Sequence, residues 1–180
     1  HFTNDLAVAL KIPHNEAERI KIQNGIVLPE QADPRVHVSV QGLTGTRAKE
    51  VPLTAVAEVL GARAEELFTV VKDIIADKNL ATLITGGYVI TGGGAMIRGL
   101  ADLAEYTLEK PAKVGYPRPI GGIGNVMQDP KFSTVLGLLL DSTQQENSIQ
   151  VRSHKSDTAD ESDFMGRIGS SFKNVFKDLF

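Results

Sequence analysis

Three consecutive glycines, Gly92-Gly93-Gly94, stand between a β-rich run, Tyr88-Val89-Ile90-Thr91, and a helical pattern that begins near Met96 and reaches about Leu108. Glycine lets the backbone approach a ligand closely, and a helix N-terminus offers N–H groups with partial positive charge, so this order suits a nucleotide. The spacing is neither GxGxxG nor GxxxxGK[ST], and taken alone such a turn serves tight packing more often than binding. A second polar pair lies upstream. Glu18 and Lys21, in AERIKIQNG, sit at i and i+3 and share a helix face, either as a solvated ion pair or as a pair offered to a ligand. His1, His14, His37 and His154 are too scattered for a metal centre, and no metal site is expected.

The elements that must position these residues read as α/β over residues 1–140. Thr3 or Asn4 is a candidate cap for a short helix through Leu10, and Pro13 opens a second helix that Gly25 ends. Val36 to Val40 alternates as a half-buried strand ended by Gly42 and Gly45, and a helical region follows. Gly61 is expected to break a helix over Thr54–Leu60 from a longer one whose Leu67, Val70, Val71, Ile74 and Ile75 form the buried stripe, with Arg63 at its edge and Glu66 outside it. Gly86-Gly87 turns into the strand before the glycine loop, and Ala112-Lys113-Val114 is a further strand. Asp129 before Pro130 caps a last helix in which Val135, Leu136, Leu138, Leu139 and Leu140 suggest burial.

Beyond Leu140 the composition changes. Residues 141–163 carry six acids against two bases and hardly any large apolar side chain, which predicts a disordered linker. The last stretch, FMGRIGSSFKNVFKDLF, is different again. On a helical wheel starting from Phe164, the residues Met165, Ile168, Phe172, Val175, Phe176, Leu179 and Phe180 fall within roughly 20° to 160°. Arg167, Lys173 and Lys177 lie on the other half with the remaining polar residues. A helix this short is marginal in water, more so with Gly166 and Gly169, and needs a surface to fold against. An anionic membrane would take the phenylalanines into the headgroup boundary and attract the three bases; a partner groove or the body's own surface is the alternative. The tether preceding it favours the membrane.

Several stretches carry a resemblance. Ile90-Thr91-Gly92-Gly93-Gly94 resembles the adenosine-contacting motif of the actin-like ATPase superfamily. AERIKIQNG resembles the helix that brings a glutamate and a lysine to the nucleoside in bacterial actin homologues, and the matching positions are Glu18 and Lys21. HFTNDLAVALKIPHNEAERIKIQNG, VITGGGAMIRGLADLAEYTL, DPKFSTVLGLLL and the apolar tail are similar, in order and spacing, to stretches of the bacterial cell-division FtsA family. The resemblance covers nearly the whole chain. It implies the second lobe of an actin-like (ribonuclease H-like) fold at 1–140, with a partner-binding subdomain at about 14–82, a linker at 141–163 and a membrane-targeting helix at 164–180.

For function, the resemblance implies the nucleoside wall of an ATP site built from Glu18, Lys21, Gly92, Gly93, Gly94 and Met96. The phosphate-clasping hairpins and the acidic metal holder would lie N-terminal to His1, so Mg is expected only in the full-length protein and hydrolysis is not expected of this chain. That the chain opens on His1 rather than Met agrees with a start partway through a longer protein. VLGARAEELFTVV resembles the family stretch that contacts the C-terminal peptide of FtsZ, which maps that role onto Arg63 and Glu66. The implied protein assembles with itself and with other division proteins, and sits peripherally on the cytoplasmic face of the cell membrane at the division septum. The alternative class is another actin-like ATPase, of sugar-kinase or chaperone type, which shares the adenosine loop but does not characteristically end in a linker and amphipathic helix. A plain membrane-binding module without nucleotide is the third reading.

The bulk numbers are those of an ordinary globular chain and narrow its partners. Net charge is −3 over 180 residues, and no segment is basic enough to grip nucleic acid. Cysteine is absent, which removes disulfide and thiolate chemistry and fits a reducing compartment. No apolar run reaches the ~18 residues needed to span a bilayer, and no signal pattern opens the sequence.

Overall fold

The computed structural model describes residues 1–42, 48–118 and 128–142. The chain divides into two units, His1–Gly137 and Leu138–Phe180, and the second is described only over 138–142. Gly45, residues 143–163 of the expected linker and the whole of the expected tail helix, 164–180, lie outside the described residues.

Among its described residues the first unit holds two two-stranded sheets, one antiparallel and one parallel, together with helices. Helix α1, Phe2–Leu10, and helix α2, His14–Asn24, are joined by a short turn in which Pro13, extended at φ −60° and ψ 149°, precedes the first helical residue of α2. Proline suits that place because its fixed φ matches and no N–H is required of it. The expected cap at Thr3 or Asn4 is not formed: α1 begins two or three residues earlier than such a cap would set it, with His1 at the cap position, and Thr3 sits inside the first turn. Strand β1, His37–Gln41, buries Val38 and Val40 on alternate positions, as its pattern predicts. It pairs antiparallel with β2, Ala48–Pro52, in a register that sets Val38 opposite Val51. Sequence reading placed helix there. The pairing partner decides otherwise, because Ala48-Lys49-Glu50 carries no strand pattern of its own and only Val51 is buried.

Helix α3 runs unbroken from Leu53 to Asp77. Gly61 does not interrupt it. A Cβ at Gly61 would lie 2.4 Å from the Val27 carbonyl oxygen, so the glycine is a close-approach site that lets the helix rest on the chain after α2. The buried stripe is correspondingly Leu53, Val56, Ala57, Leu60, Gly61, Ala64 and Phe68. Leu67, Val70 and Ile74 are about half exposed, and Val71 is only partly buried, which corrects the stripe expected from the sequence. Reading a break at Gly61 had detached the helix from its own buried half. Leu6 of α1, Ile20 of α2 and Val27 pack with Leu60 and Val56 in one continuous core.

Strand β3, Tyr88–Ile90, and strand β4, Ala112–Val114, pair in parallel with Val89 beside Lys113. Helix α4, Leu100–Leu108, connects them and buries Leu100, Leu103, Ala104 and Leu108. Asp129 caps the turn at Pro130–Phe132 by accepting the Lys131 N–H at 2.9 Å, and residues 133–142 are helical. Of the apolar residues expected to be buried there, Leu136 is, whereas Val135, Leu138 and Leu140 are exposed and Leu139 is intermediate. The helical period extends two residues into the segment read as linker.

Gly61→Ala is expected to lower stability by about 1–3 kcal/mol, because the added methyl must push α3 off the Val27 carbonyl. Gly137→Ala, in a helix with nothing within 4 Å of the new Cβ, should instead raise it by about 0.5–1 kcal/mol. Urea midpoints of the two variants check this, and equal effects would show that Gly61 is not a packing site.

Candidate nucleoside wall and partner cavity

The glycine loop is built differently from a strand feeding directly into a helix. Gly92 takes φ +91°, a backbone region that glycine adopts without strain, and Gly93–Met96 then forms a single 3₁₀ turn closed by Ala95 N–H to Gly92 O and Ile97 N–H to Gly94 O. Helix α4 begins only at Leu100, after Gly99 at φ +79°. The helix N-terminus expected near Met96 is therefore four residues further on, and the loop offers close backbone approach in place of helix-end N–H groups. The turn buries Ala95 and leaves Met96 half exposed. Nothing lies within 4 Å of a Cβ built on Gly92 or Gly94, so the backbone here faces open space that a flat ligand could fill. The other side of the loop is supported. Gly93 is backed by the Lys131 Cβ, and Thr91 Oγ1 donates to Gly115 O at 2.9 Å and shares a 2.6 Å hydrogen bond with Ser133 Oγ.

Glu18 and Lys21 lie on α2, whose C-terminal end is stitched to the residues that follow the loop. Ile26 forms a parallel bridge with Arg98, Val27 N–H donates to Arg98 O at 3.0 Å, and the Arg98 side chain donates to Asn24 O and Gly25 O. On α2 itself, Lys21 Nζ reaches Glu18 Oε2 at 2.8 Å and Thr3 Oγ1 at 3.0 Å, while Thr3 Oγ1 donates to the same carboxylate oxygen. The Lys21 ammonium, followed by the Thr3 hydroxyl, holds the Glu18 carboxyl below its usual range, so it is ionised at neutral pH. The pair is neither freely solvated nor isolated. It is a three-residue cluster at the α1–α2 contact.

Arg63 and Glu66 belong to another place. Arg63 grips Asp5 of α1 through two nitrogens, Nε to Oδ2 and Nη2 to Oδ1 at 3.1 Å, and donates Nη1 to Glu66 Oε2 at 2.5 Å. The guanidinium hydrogen bonds hold the Asp5 carboxyl below the aspartate range. The three charges stand on a cavity of about 440 Å³ between α1 and α3, whose other lining residues are Asn4, Val8, Ala9, Val59 and Ala62. Sequence reading found Arg63 and Glu66 but not Asp5, which is 58 positions away and carries no local signal of the pairing. Among the described residues no group of three or more His, Asp or Glu side chains could hold a metal ion, and no helix is long and apolar enough to cross a membrane.

The arrangement has relatives. The family model for cell division protein FtsA matches residues 1–137, which takes in both helices of the cavity, the glycine loop and the capped turn behind it. The chain belongs to the FtsA family. The FtsA of Borreliella burgdorferi is 37% identical over 145 residues, covering 80% of this chain and 35% of the relative. That of Pseudomonas aeruginosa is 34% identical, covering 81% and 35%. That of Escherichia coli K12 is 28% identical over 97% of this chain and 43% of its own. The chain thus spans about a third to two fifths of the length of these FtsA relatives. Among solved structures, MreB5 of Spiroplasma citri bound to ADP superposes with a TM-score of 0.64 at 15% identity, over 83% of this chain and 45% of that one. This likeness is one of fold, an open-sheeted α/β arrangement like that of MreB5.

The Asp5 carboxyl has a lower pKa folded than unfolded, so the stability it carries is complete above the ordinary value of 3.8 and is lost as pH falls through the lowered one. Asp5→Asn is therefore expected to lower the urea midpoint at neutral pH and to flatten its decline between about pH 5 and pH 2. Parallel pH profiles for the two chains would show that the pair contributes nothing measurable.

Proposed function

We propose that this chain is the part of a division protein that holds the nucleoside end of ATP, takes up the C-terminal peptide of FtsZ, and attaches the assembly to the membrane. The observation that carries this reading is the cavity between α1 and α3, where Arg63 stands beside apolar walls with Asp5 and Glu66 fixing its guanidinium. An open, largely apolar depression lined also by held charges suits an extended peptide, which supplies apolar side chains and polar groups to match. Asn4, Asp5, Val8 and Val59 join Arg63 and Glu66 in this role.

On the nucleotide side, Gly92 and Gly94 border open space, Met96 offers apolar surface, and Glu18 and Lys21 offer an ionised carboxylate and an ammonium. These residues fit a nucleoside: a base beside the glycine backbone and sugar hydroxyls on the carboxylate. Bound ATP would supply a link to the other lobe, and with it control of self-assembly. The residues here bind and orient without performing hydrolysis, and Mg belongs with the phosphate-side residues of the full-length protein. The apolar tail, Phe164 to Phe180, is the membrane element, and one short amphipathic helix holds weakly enough that several copies in a polymer are needed for stable attachment. The site of action is the cytoplasmic face of the cell membrane at the septum, with other division proteins as further partners.

Arg63→Glu is expected to weaken binding of the FtsZ C-terminal peptide by about tenfold or more, with the circular dichroism spectrum unchanged. Unaltered affinity would remove the cavity from the partner site. In co-sedimentation with anionic liposomes, the chain ending at Asp163 should stay in the supernatant while the full chain pellets. Equal behaviour of the two would overturn the tail's role.

A further inference from the structure

We infer that Thr3 is a positioning residue for the nucleoside pair: its hydroxyl pins Glu18 Oε2 against Lys21 and so leaves Glu18 Oε1 held in place for the hydroxyls of a ribose. The inference rests on the nucleoside reading above and adds to it a residue from a different helix.

Thr3 is buried, at 7% exposure, although it is polar. Its hydroxyl bonds across to α2, donating its one proton to Glu18 Oε2 and accepting from Lys21 Nζ at 3.0 Å. Lys21 closes the triangle by donating to the same Oε2 at 2.8 Å.

The chemistry of the three groups fixes the direction of every bond. The ammonium has only donors, the carboxylate only acceptors, and a hydroxyl alone can stand between them as both. Two bonds converging on Oε2 restrain rotation of the carboxylate, and the cluster places none on Oε1, which keeps its lone pairs for incoming donors. A vicinal diol presents two O–H donors to such an oxygen, the chemistry by which an acidic side chain reads ribose in dinucleotide sites. Without Thr3 the carboxylate can still pair with Lys21, but it turns freely about that single contact. The discrimination lost is then between ribose and 2′-deoxyribose, because a deoxy sugar offers one donor fewer.

The test is equilibrium binding of ATP and 2′-deoxyATP to the protein at its full family length. The unsubstituted protein is expected to prefer ATP by about tenfold, the ratio that one hydrogen bond to a charged group supports. Thr3→Val should bring that ratio to within about threefold of unity, Thr3→Ser should restore it, and Thr3→Val should have no further effect on it in a Glu18→Ala background. If Thr3→Val loses its circular dichroism spectrum, Thr3→Cys, similar in volume and a weak donor, takes its place. Thr3→Val weakening both nucleotides equally, or neither, would reduce Thr3 to a packing residue and overturn the inference. A ratio change that persists without Glu18 would overturn it too. An unsubstituted protein that binds ATP without preferring it to the deoxy form would overturn the inference but not the nucleoside reading; one that binds neither would end both.

Discussion

Val27 is the residue on which the rest of the first unit is aligned. Its carbonyl oxygen sits where any side chain at Gly61 would collide with it, and its N–H is donated to Arg98 O. Helix α3 is thereby seated against one side of this residue, and the chain that leaves the glycine loop is hydrogen-bonded to it. Val27 itself is 1% exposed, so its N–H bond is made out of reach of water, where leaving the donor unpaired would be costly. The glycine loop and the Arg63 cavity lie on elements that both depend on this seat.

That shared seat also explains why the two candidate sites are coupled in structure though separate in composition. Helix α1 contributes Thr3 to the Glu18–Lys21 cluster and Asp5 to the Arg63 cluster, two residues apart on one nine-residue helix. A helix places residues two apart on different sides, so α1 can face α2 with one and α3 with the other. Displacement of α1 would be felt at both clusters.

Much of the fold was legible where the signal is local. Pro13 before α2, the strand alternation at Val38 and Val40, and the Asp129 cap each express a rule that spans only a few residues. Strand β2 was not legible, since Ala48-Lys49-Glu50 becomes a strand only by pairing with β1. The face of α3 was misread because the helix carries apolar residues on two stripes, and a wheel cannot say which of them meets the core when the glycine that decides the matter is taken for a break. At the sites, motif resemblance pointed to Glu18, Lys21, Gly92 to Gly94, Arg63 and Glu66. Thr3 and Asp5 escaped because their partners are 15 and 58 positions away, and helix position alone makes each look like an ordinary first-turn polar residue.

The burial pattern of α3 divides a continuous helix into two thermodynamic parts. Up to Phe68 each turn is anchored in the core, whereas from Thr69 to Asp77 no residue is buried. That distal part is held by Val71 and Ile75 at half burial, by the Lys72–Glu109 ion pair, and by Lys110, whose ammonium ties down the carbonyls of Ala81 and Ile84 in the following turn. Its amides can open by fraying, while those of the proximal part open only when the core does. Hydrogen-exchange protection should therefore fall in a step along one helix, making its outer end a compliant arm on a rigid shaft.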